Sequence, residues 1–419
     1  MSKALTDDFC KSNRLVNLLQ MDKEIITTKE NIQAVFQKIH ASIETATAPG
    51  DYLLSGKLGL SLYYFSLYEV FGDPGHADIS IDFLEQVMNR EDENPGTLMG
   101  AGFASGITGL GYMVTMLQKA GLAEIDLKEE LGELDAAIAE LALKEIIQEE
   151  RLDFLHGAAG IIHYFTSRSD ERHIRDYLEK IVTAFCDKAV ASDGGLWFNN
   201  FIIEEKEKDR IDTGLSHGNS GILLVLLNVL NAGIQQSRIR EIVSKGINFI
   251  ISQRMITMPE GEQYTVFPFS INRDDYNDIY YNQRLAWCYG DLNILLLLYR
   301  AAAKLKEPGW RQLAVELTES ILIRTTEKST LVTDSHFCHG SAGLAQVYHA
   351  LYVITGDSRF NDAYLYWIQK TLSYIMAETD SNYYYGKEYD VLNGLPGVNL
   401  VLLSFLSKKE LAWSRSLLL

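Results

Sequence analysis

The sequence has little proline, few cysteines and fewer basic than acidic residues, and each shortage argues against a class of structure or function. Only seven prolines occur in 419 residues, which favours long helices over loop-rich structure. Four cysteines (Cys10, Cys186, Cys288 and Cys338) are too few for the disulfide framework of a small secreted domain. With 38 basic and 56 acidic residues, the net charge of −18 does not fit the clustered basic surface that binds nucleic acid.

Long hydrophobic runs are also absent. The N-terminal segment contains Asp7 and Asp8 where a secretory signal would be apolar. The most apolar segment, residues 221–234, is interrupted by Asn228 and Asn231 and is shorter than the ~20 residues that span a bilayer. We therefore expect a cytoplasmic protein without a transmembrane segment. In a reducing compartment, cysteines beside histidine are more often metal ligands or catalytic groups than disulfide partners.

A seven-fold internal repeat organises the sequence. Each copy has an apolar residue, two variable positions, glycine, two variable positions, glycine and an aliphatic residue. The copies are LLSGKLGL (53–60), FASGITGL (103–110), FLHGAAGI (154–161), LSHGNSGI (215–222), WCYGDLNI (287–294), FCHGSAGL (337–344) and VLNGLPGV (391–398). Six copies are complete, and the fifth has Asn293 in place of the second glycine. Such regular recurrence is the signature of a repeat architecture.

The segments between and after the motifs predict the fold. Each motif leads into an apolar run, and charged amphipathic stretches lie between the motifs. A helix that is apolar all round is buried, whereas a helix with a polar face lies outside. Seven helices of each kind predict an all-α fold, a seven-fold α/α toroid in which the glycines lie at crowded N-termini of inner helices.

Two segments interrupt this pattern. Residues 255–282 are rich in Tyr, Phe and Asp and lack helical periodicity, and a smaller irregular piece spans residues 192–212. Neither has enough apolar sequence to form a second core. We therefore expect one domain over residues 1–419, with a small irregular or β-containing insertion at 255–282.

In a ring of this kind, the residues just before each first glycine line one end. The position two before that glycine holds Cys288 and Cys338 in adjacent copies, and His339 follows the second cysteine. Two thiols and one imidazole are a ligand set that zinc binds tetrahedrally, with a fourth position left open for chemistry. From spacing alone, two small buried cysteines without a metal explain the pattern about equally well.

Other polar residues near the motifs also have ordinary explanations. On the sequence alone, His156 and His217 are better explained as capping or core histidines. Asp153 fits a helix N-cap, and Arg284 fits a surface ion pair. The residues alone therefore do not assign a catalytic group.

The segments WCYG (287–290) and CHG (338–340) resemble the paired zinc motifs of the lanthionine synthetase C-like (LanC-like) family. The seven glycine-rich copies, from near residue 53 to near residue 400, match that family's seven-fold toroid. The length resembles the stand-alone cyclases of class I lanthipeptide pathways. The resemblance implies a zinc-dependent cyclase. In such an enzyme, a cysteine of a dehydrated precursor peptide adds to dehydroalanine or dehydrobutyrine and forms a lanthionine or methyllanthionine ring.

The resemblance also implies roles for individual residues. The family's proton-donating histidine in the fourth repeat matches His217, and an acidic residue before the third-repeat glycine matches Asp153, which would orient or deprotonate that histidine. The arginine four residues before the first zinc cysteine matches Arg284, which would stabilise an enolate or hold the substrate. Tyr289 matches the tyrosine after that cysteine, a supporting donor, whereas His156 has no match and its role stays open.

Alternative functions remain within and beyond this family. One is the addition of glutathione or another thiol to dehydrated protein sites, as in the eukaryotic relatives. Another is a non-enzymatic scaffold that binds zinc and thiols. A carbohydrate-active toroid fits less well, because those usually have six helix pairs and paired acids. Family members often work with a lanthipeptide dehydratase and an exporter. The sequence leaves open whether this protein is likewise associated peripherally with such a membrane complex.

Overall fold

The computed structural model of the protein describes residues 29–94, 96–123, 131–199, 209–255 and 264–419, and its helices form two concentric rings. The inner helices follow the seven repeat motifs and are α2 (Lys57–Phe71), α4 (Ile107–Lys119), α6 (Ala158–Thr166), α8 (Asn219–Asn231), α10 (Asp291–Leu305), α13 (Ser341–Thr355) and α15 (Leu395–Ser407). The outer helices are α1 (Lys29–Glu44), α3 (Pro74–Glu93), α5 (Gly132–Lys144), α7 (Arg172–Cys186), α9 (Gln236–Ser252), α11 (Pro308–Leu322) and α14 (Ser358–Asp380). Two short helices are α12 (Glu327–Thr330) and α16 (Ala412–Arg415), and a π-helical turn (Glu145–Glu149) continues α5.

The inner ring is closed. Each inner helix contacts the inner helices before and after it in sequence, and α15 contacts α2. Helix α1 packs on α15 as its outer helix, so the first described helix completes the last pair. The inner helices are buried along most of their length, whereas an outer helix such as α7 buries one apolar face. The predicted seven-fold α/α toroid is confirmed.

The repeat glycines lie where the chain folds back beneath the N-termini of the inner helices. The first N–H of α2 and that of α6 donate to carbonyls seven residues earlier: Lys57 to Gly50 at 3.0 Å, and Ala158 to Arg151 at 2.9 Å. These bonds satisfy donors that have no intrahelical partner, and neither helix has a side-chain cap. A Cβ on Gly157 would lie 2.6 Å from the carbonyl oxygen of Arg151. The motif therefore needs glycine because two stretches of backbone meet there.

In the described part of the chain, five short strands lie between the helices of the third, fourth and fifth repeats. They are β1 (Val190–Ser192), β2 (Gly195–Trp197), β3 (Arg210–Asp212), β4 (Ser270–Asn272) and β5 (Ile279–Tyr280). Strands β1 and β2 pair antiparallel, and β3, β4 and β5 form an antiparallel sheet in which Ile211 lies opposite Ile271 and Ile271 lies opposite Ile279.

The pairing of β3 with β4 joins two segments that sequence reasoning treated separately, residues 192–212 and 255–282. Residues 200–208 and 256–263 of these segments lie outside the described part of the chain. We propose that the chain forms one domain into which this decorated segment is inserted.

Cysteine usage and membrane topology were also predicted from the sequence. Cys186, Cys288 and Cys338 are buried free thiols, while Cys10 and the N-terminal segment expected to lack a signal fall outside the described residues. Of the helices that the structure describes, none combines the length and the apolar character needed to cross a bilayer.

Candidate metal centre

A circle of main-chain hydrogen bonds runs around the end of the ring where the inner helices begin. In most repeats, the residue two before the first glycine donates its N–H to the carbonyl of its equivalent in the next repeat. Such bonds join Leu54 to Ala104 (3.2 Å), Ala104 to Leu155 (2.8 Å), Leu155 to Ser216 (3.3 Å), Ser216 to Cys288 (3.1 Å) and Cys338 to Leu392 (2.8 Å), and Val391 closes the circle to Leu54 (2.9 Å). Equivalent side chains of neighbouring repeats are thereby held side by side.

Within the described residues this circle is interrupted once, between Cys288 and Cys338. No main-chain bond joins these residues, and the Cys288 thiol instead donates to the Cys338 carbonyl at 3.5 Å. The interruption falls in the repeat that has Asn293 in place of glycine. In the other six repeats, a Cβ at that position would collide with the carbonyl group six residues earlier.

The backbone of the fifth repeat differs accordingly. Gly290 takes a φ of +105°, whereas the equivalent glycines have φ between −97° and −171°. A φ of +105° is open to glycine and costly for other residues. The main chain is therefore rearranged at the one step of the circle that holds two cysteines.

Cys288, Cys338 and His339 come together at this step. Their ligand atoms, two sulfurs and an imidazole nitrogen, all lie within 4.8 Å of one another, and Nε2 of His339 lies 3.7 Å from Sγ of Cys338. Both thiols are buried and His339 is half-buried. Across the residues that the structure describes, no other three Cys, His, Asp or Glu side chains form such a group. These donors are of the type that zinc prefers.

The two thiols differ in proton affinity. Burial raises the pKa of Cys288. The interaction between the two thiols, in which Cys288 is the hydrogen-bond donor to the Cys338 sulfur, lowers the pKa of Cys338. His339 and His217 lower the pKa of Cys338 further. Because the thiolate is the form that binds metal, the pair is prepared to ligate through Cys338. Both the donor chemistry and the protonation of the set fit a zinc ion.

His217 and Asp153 form a hydrogen-bonded pair beside these ligands. Nδ1 of His217 lies 2.9 Å from Oδ2 of Asp153, whose side chain is fully buried. The same oxygen accepts the main-chain N–H of His156 at 3.1 Å, which fixes the carboxylate. Burial lowers the pKa of His217, but the hydrogen bond and charge of Asp153, with smaller effects of Asp212 and Cys338, raise it above its usual 6.5. His217 is therefore equipped to hold and deliver a proton.

His156 is a part of this site to which sequence reasoning assigned no role. Its ring stacks on that of His217, with centroids 5.4 Å apart and planes inclined by 15°. Burial lowers the pKa of His156, and the charge of His217 lowers it further, while Asp153 raises it. The stack limits the rotation of the His217 imidazole.

Tyr289 and Arg284 complete the predicted set. The ring of Tyr289 lies 5.7 Å from that of His339 and meets Phe269 edge-on at 4.8 Å. Burial raises the pKa of Tyr289 to about 12, so the phenol keeps its proton and can donate it in a hydrogen bond. The charge of Arg284 acts on both Tyr289 and Asp334. All seven site residues predicted from the sequence thus lie at the same end of the ring.

Sequence reasoning missed Asp334 and His336, which support His339. Nε2 of His336 lies 3.2 Å from Oδ1 of Asp334, and its Nδ1 accepts the main-chain N–H of His339 at 3.3 Å. Burial lowers the pKa of His336 to about 3, so the ring is neutral and acts as an acceptor. This contact orients the backbone that carries a metal ligand.

Sequence reasoning missed Asp212 as well, although its position in the repeat indicates it. Asp212 and Asp334 occupy the sixth position before the first glycine, which is Arg284 in the repeat between them. Oδ1 of Asp212 accepts the N–H of Gly214 at 2.5 Å, and the Asp212 charge acts on His217 and Cys288. Charged residues at this repeat position therefore surround the ligands and could have been found by aligning the repeats.

The segment that carries Arg284 and Cys288 is anchored by a buried ion pair. Nη1 of Arg324 donates to Oδ2 of Asp291 at 2.8 Å, and both side chains are at most 1% exposed. Asp291 also accepts the N–H groups of residues 266 and 267, while Arg324 donates to the carbonyl of Gln283. Breaking such a pair costs about 3–5 kcal/mol, so the pair holds this segment firmly in place.

Comparison with known proteins identifies relatives of the chain. The family model described as Lanthionine synthetase C-like protein matches residues 49–418. Glutathione S-transferase LANCL1 of Danio rerio is 22% identical over 314 residues, which are 73% of this chain and 70% of that protein. The solved structure of nisin cyclase superposes with a TM-score of 0.72 at 18% identity, over 93% of this chain and 97% of that one, which shows a shared fold.

Proposed function

The chain belongs to the lanthionine synthetase C-like family, and from this membership we propose that it is a zinc-dependent lanthipeptide cyclase. Its substrate is a dehydrated precursor peptide, in which a cysteine adds to dehydroalanine or dehydrobutyrine to form a lanthionine or methyllanthionine ring. The observation that carries the proposal is the convergence of Cys288, Cys338 and His339 next to the pair of His217 and Asp153.

Cys288, Cys338 and His339 would hold the zinc. When bound, zinc supplies a Lewis acid that stabilises a substrate thiol as its thiolate at neutral pH. These residues would supply three ligands, fewer than the four of a structural zinc site, so the substrate thiolate could serve as the fourth. The main chain around the ligands is restrained by His336 and by the neighbouring hydrogen-bonded repeats.

The remaining residues act on the carbon skeleton. Addition of the thiolate to Cβ forms a C–S bond, breaks the C=C π bond and places the electron pair on the adjacent carbonyl as an enolate. His217 then delivers a proton from Nε2 to Cα, while its Nδ1 stays hydrogen-bonded to Asp153. Arg284 and Tyr289 are donors that stabilise the enolate oxygen. The proton that the substrate thiol releases on ionisation replaces the proton that His217 delivers, so the product is an isomer of the substrate.

The test is a cyclisation assay on the zinc-loaded protein. A dehydrated precursor peptide is incubated with the protein, free thiols are alkylated and the products are analysed by mass spectrometry. We expect the peptide mass to stay unchanged while its alkylatable thiols disappear. Thiols that remain fully alkylatable after incubation with zinc-loaded protein would refute the proposal.

Three variants separate metal binding from proton transfer. Cys338→Ala should lose both zinc and cyclisation, and so should Cys288→Ala. His217→Asn should keep zinc and lose cyclisation. Cys186→Ala is the matched control, because this buried thiol lies on outer helix α7 and should leave zinc content and cyclisation unchanged.

The Danio rerio relative supports a second candidate. Its name describes a glutathione S-transferase, and it covers 73% of this chain at 22% identity. In that case the protein would add glutathione, or another thiol, to a dehydrated protein site. A competition assay with glutathione and a dehydrated peptide distinguishes the two, because glutathione addition raises the product mass and ring formation does not.

We also propose that the protein works in the cytoplasm with a lanthipeptide dehydratase and an exporter. A cyclase of this kind needs a dehydrated peptide, so a dehydratase must act before it. Co-purification of the tagged chain with a dehydratase encoded beside its gene tests this proposal. Recovery of the chain without that enzyme, under conditions where both are expressed, would count against it.

A further inference from the structure

A cavity of about 570 Å³ lies at the end of the ring opposite the metal ligands. The ligands precede the N-termini of inner helices, whereas the cavity is lined by residues near the C-terminal ends, such as Lys119 of α4 and Thr166 of α6. Residues 411–419 fold back against the ring, where Nε1 of Trp287 donates to the carbonyl of Leu417 at 3.0 Å. The volume falls in the range of about 300–1,000 Å³ in which small-molecule sites are found.

A buried histidine faces this cavity with one ring nitrogen unused. His163 is 7% exposed, and its Nε2 has no hydrogen-bond partner among the described residues. Burial lowers the pKa of His163 to about 4, so the ring is neutral, while the main chain of Arg415 acts on this pKa in the opposite direction. A main-chain group that raises the pKa of a histidine is a carbonyl facing the ring N–H, so Nε2, which has no partner among the described residues, is assigned as an acceptor that lacks a donor. Leaving such a group unpaired costs free energy.

Three cationic side chains line the same cavity. They are Lys119, Arg300 and Arg415, in a chain whose net charge is −18. Nη1 of Arg300 donates to the carbonyl of Leu418 at 2.6 Å, and Nζ of Lys119 donates to the carbonyl of Ser167 at 2.5 Å. These carbonyl partners are neutral, so they do not compensate the positive charge of either side chain.

The environment of Arg300 also bears on the charge of the cavity. Burial lowers the pKa of Arg300 to about 10, and the charge of Glu410 only partly offsets the effect. Among the described residues of the lining, Glu69 is the one carboxylate side chain against three cations. It accepts the N–H of Ala412 at 3.2 Å, and its charge interacts with that of Arg415. The cavity therefore has an excess of positive charge, an acceptor without a donor, and an apolar wall that includes Phe65 and Met116.

We propose that this cavity binds a small organic anion that also carries a hydroxyl group. The anion pairs with Arg300, Arg415 and Lys119, and the hydroxyl donates to Nε2 of His163. A 2-hydroxycarboxylate and a hydrogen phosphate ester share this chemistry, since both combine negative charge with an O–H donor. No step of the proposed cyclisation involves this end of the ring, so the site is separate from that function.

Isothermal titration calorimetry on the zinc-loaded full chain tests the proposal with three probes. The probes are 2-hydroxyhexanoate, hexanoate and inorganic phosphate. The first two differ by one hydroxyl, so we expect 2-hydroxyhexanoate to bind about tenfold more tightly than hexanoate, because only it satisfies the buried acceptor. Tighter binding of phosphate than of either carboxylate assigns the site to phosphate esters.

A charge variant shows whether binding takes place in this cavity. Arg415→Gln removes one cation but keeps the main chain that contacts His163, and it should weaken probe binding about tenfold. Arg311→Gln is the matched control, since Arg311 is an exposed arginine on outer helix α11. Equal zinc content and melting temperature of the two variants exclude misfolding. Absence of binding by all three probes, or binding that Arg415→Gln leaves unchanged, overturns the proposal.

Discussion

Asp153→Asn changes one atom of a fully buried side chain and isolates the effect of its charge on His217. Oδ2 of Asp153 accepts both Nδ1 of His217 at 2.9 Å and the N–H of His156 at 3.1 Å. An asparagine oxygen can accept the same hydrogen bonds, so the shape of the site is kept. The variant therefore removes the negative charge and leaves the imidazole in place.

The expected effect is a lower pKa of His217. Burial already lowers this pKa, and the hydrogen bond and charge of Asp153 outweigh burial. Hydrogen bonds to charged groups contribute about 1.5–3 kcal/mol. Since one pKa unit corresponds to about 1.4 kcal/mol, the pKa of His217 should fall by about one to two units.

The sign of the stability effect follows from the raised pKa. A group whose pKa is higher in the folded than in the unfolded state stabilises the fold at a pH below its unfolded value, here 6.5, and this contribution is lost as the pH rises through the folded value. The stability difference between the parent and Asp153→Asn should therefore contain a component that is largest at acidic pH and disappears above the folded pKa of His217.

The assay is NMR titration of histidine ring signals in the metal-free protein, because a bound cation would itself shift this pKa. Comparison with His217→Asn assigns the signal. Asp187→Asn is the control, since Asp187 lies on the surface in an ion pair with Arg238 and should leave the titration of His217 unchanged. An unaltered pKa of His217 in Asp153→Asn would show that the carboxylate does not set it.

Three further predictions concern the repeat and its fifth copy. Gly343→Ala should destabilise the fold by about 1–3 kcal/mol or more in urea unfolding, because its Cβ meets the carbonyl group six residues earlier, whereas Gly309→Ala, with no atom within 4 Å, should not. Asp291→Ala should lower the free energy of unfolding by about 3–5 kcal/mol, against about 0–1 kcal/mol for Asp187→Ala at the surface. Asn293→Gly should stabilise the fold yet weaken zinc binding in a chelator competition, because it removes unpaired buried polar atoms and lets the circle of main-chain hydrogen bonds close. Unchanged zinc affinity in that variant would show that the backbone conformation of the fifth repeat does not affect zinc binding.

The architecture was predictable where packing demands a particular residue type. The second glycine of six repeats lies against a carbonyl group six residues earlier, so a side chain is excluded and the spacing stays visible in the sequence. The pairing of α1 with α15 could not be predicted from a sequence pattern, because α1 has no motif and its partner is more than 300 residues away. The pairing of β3 with β4 was also invisible, since strands of three residues show no periodicity.

The metal ligands could be predicted because the ring brings equal repeat positions together. Cys288 and Cys338 hold the same position in neighbouring copies, and His339 follows directly. Asp334 shares its repeat position with Asp212 and could be found in the same way. His336 could not, because it contacts His339 through a loop that folds beneath a helix N-terminus. The catalytic roles of His217, Asp153, Arg284 and Tyr289 stay predictions, which the variants above test.

The fifth repeat shows why a repeat protein departs from its own pattern at the functional site. A complete motif in this copy would be expected to pair the Cys288 N–H with the Cys338 carbonyl, as the equivalent groups pair elsewhere in the circle. The Cys288 thiol makes that contact instead, and Asn293 is buried with both polar atoms unpaired. Buried polar groups without partners lower the stability of a fold, so this copy is locally less stable than a complete motif would be. A sulfur that contacts a carbonyl at 3.5 Å can turn to a metal more readily than one beside a closed circle of main-chain hydrogen bonds. This links the one imperfect motif to the one cluster of metal ligands in the described chain.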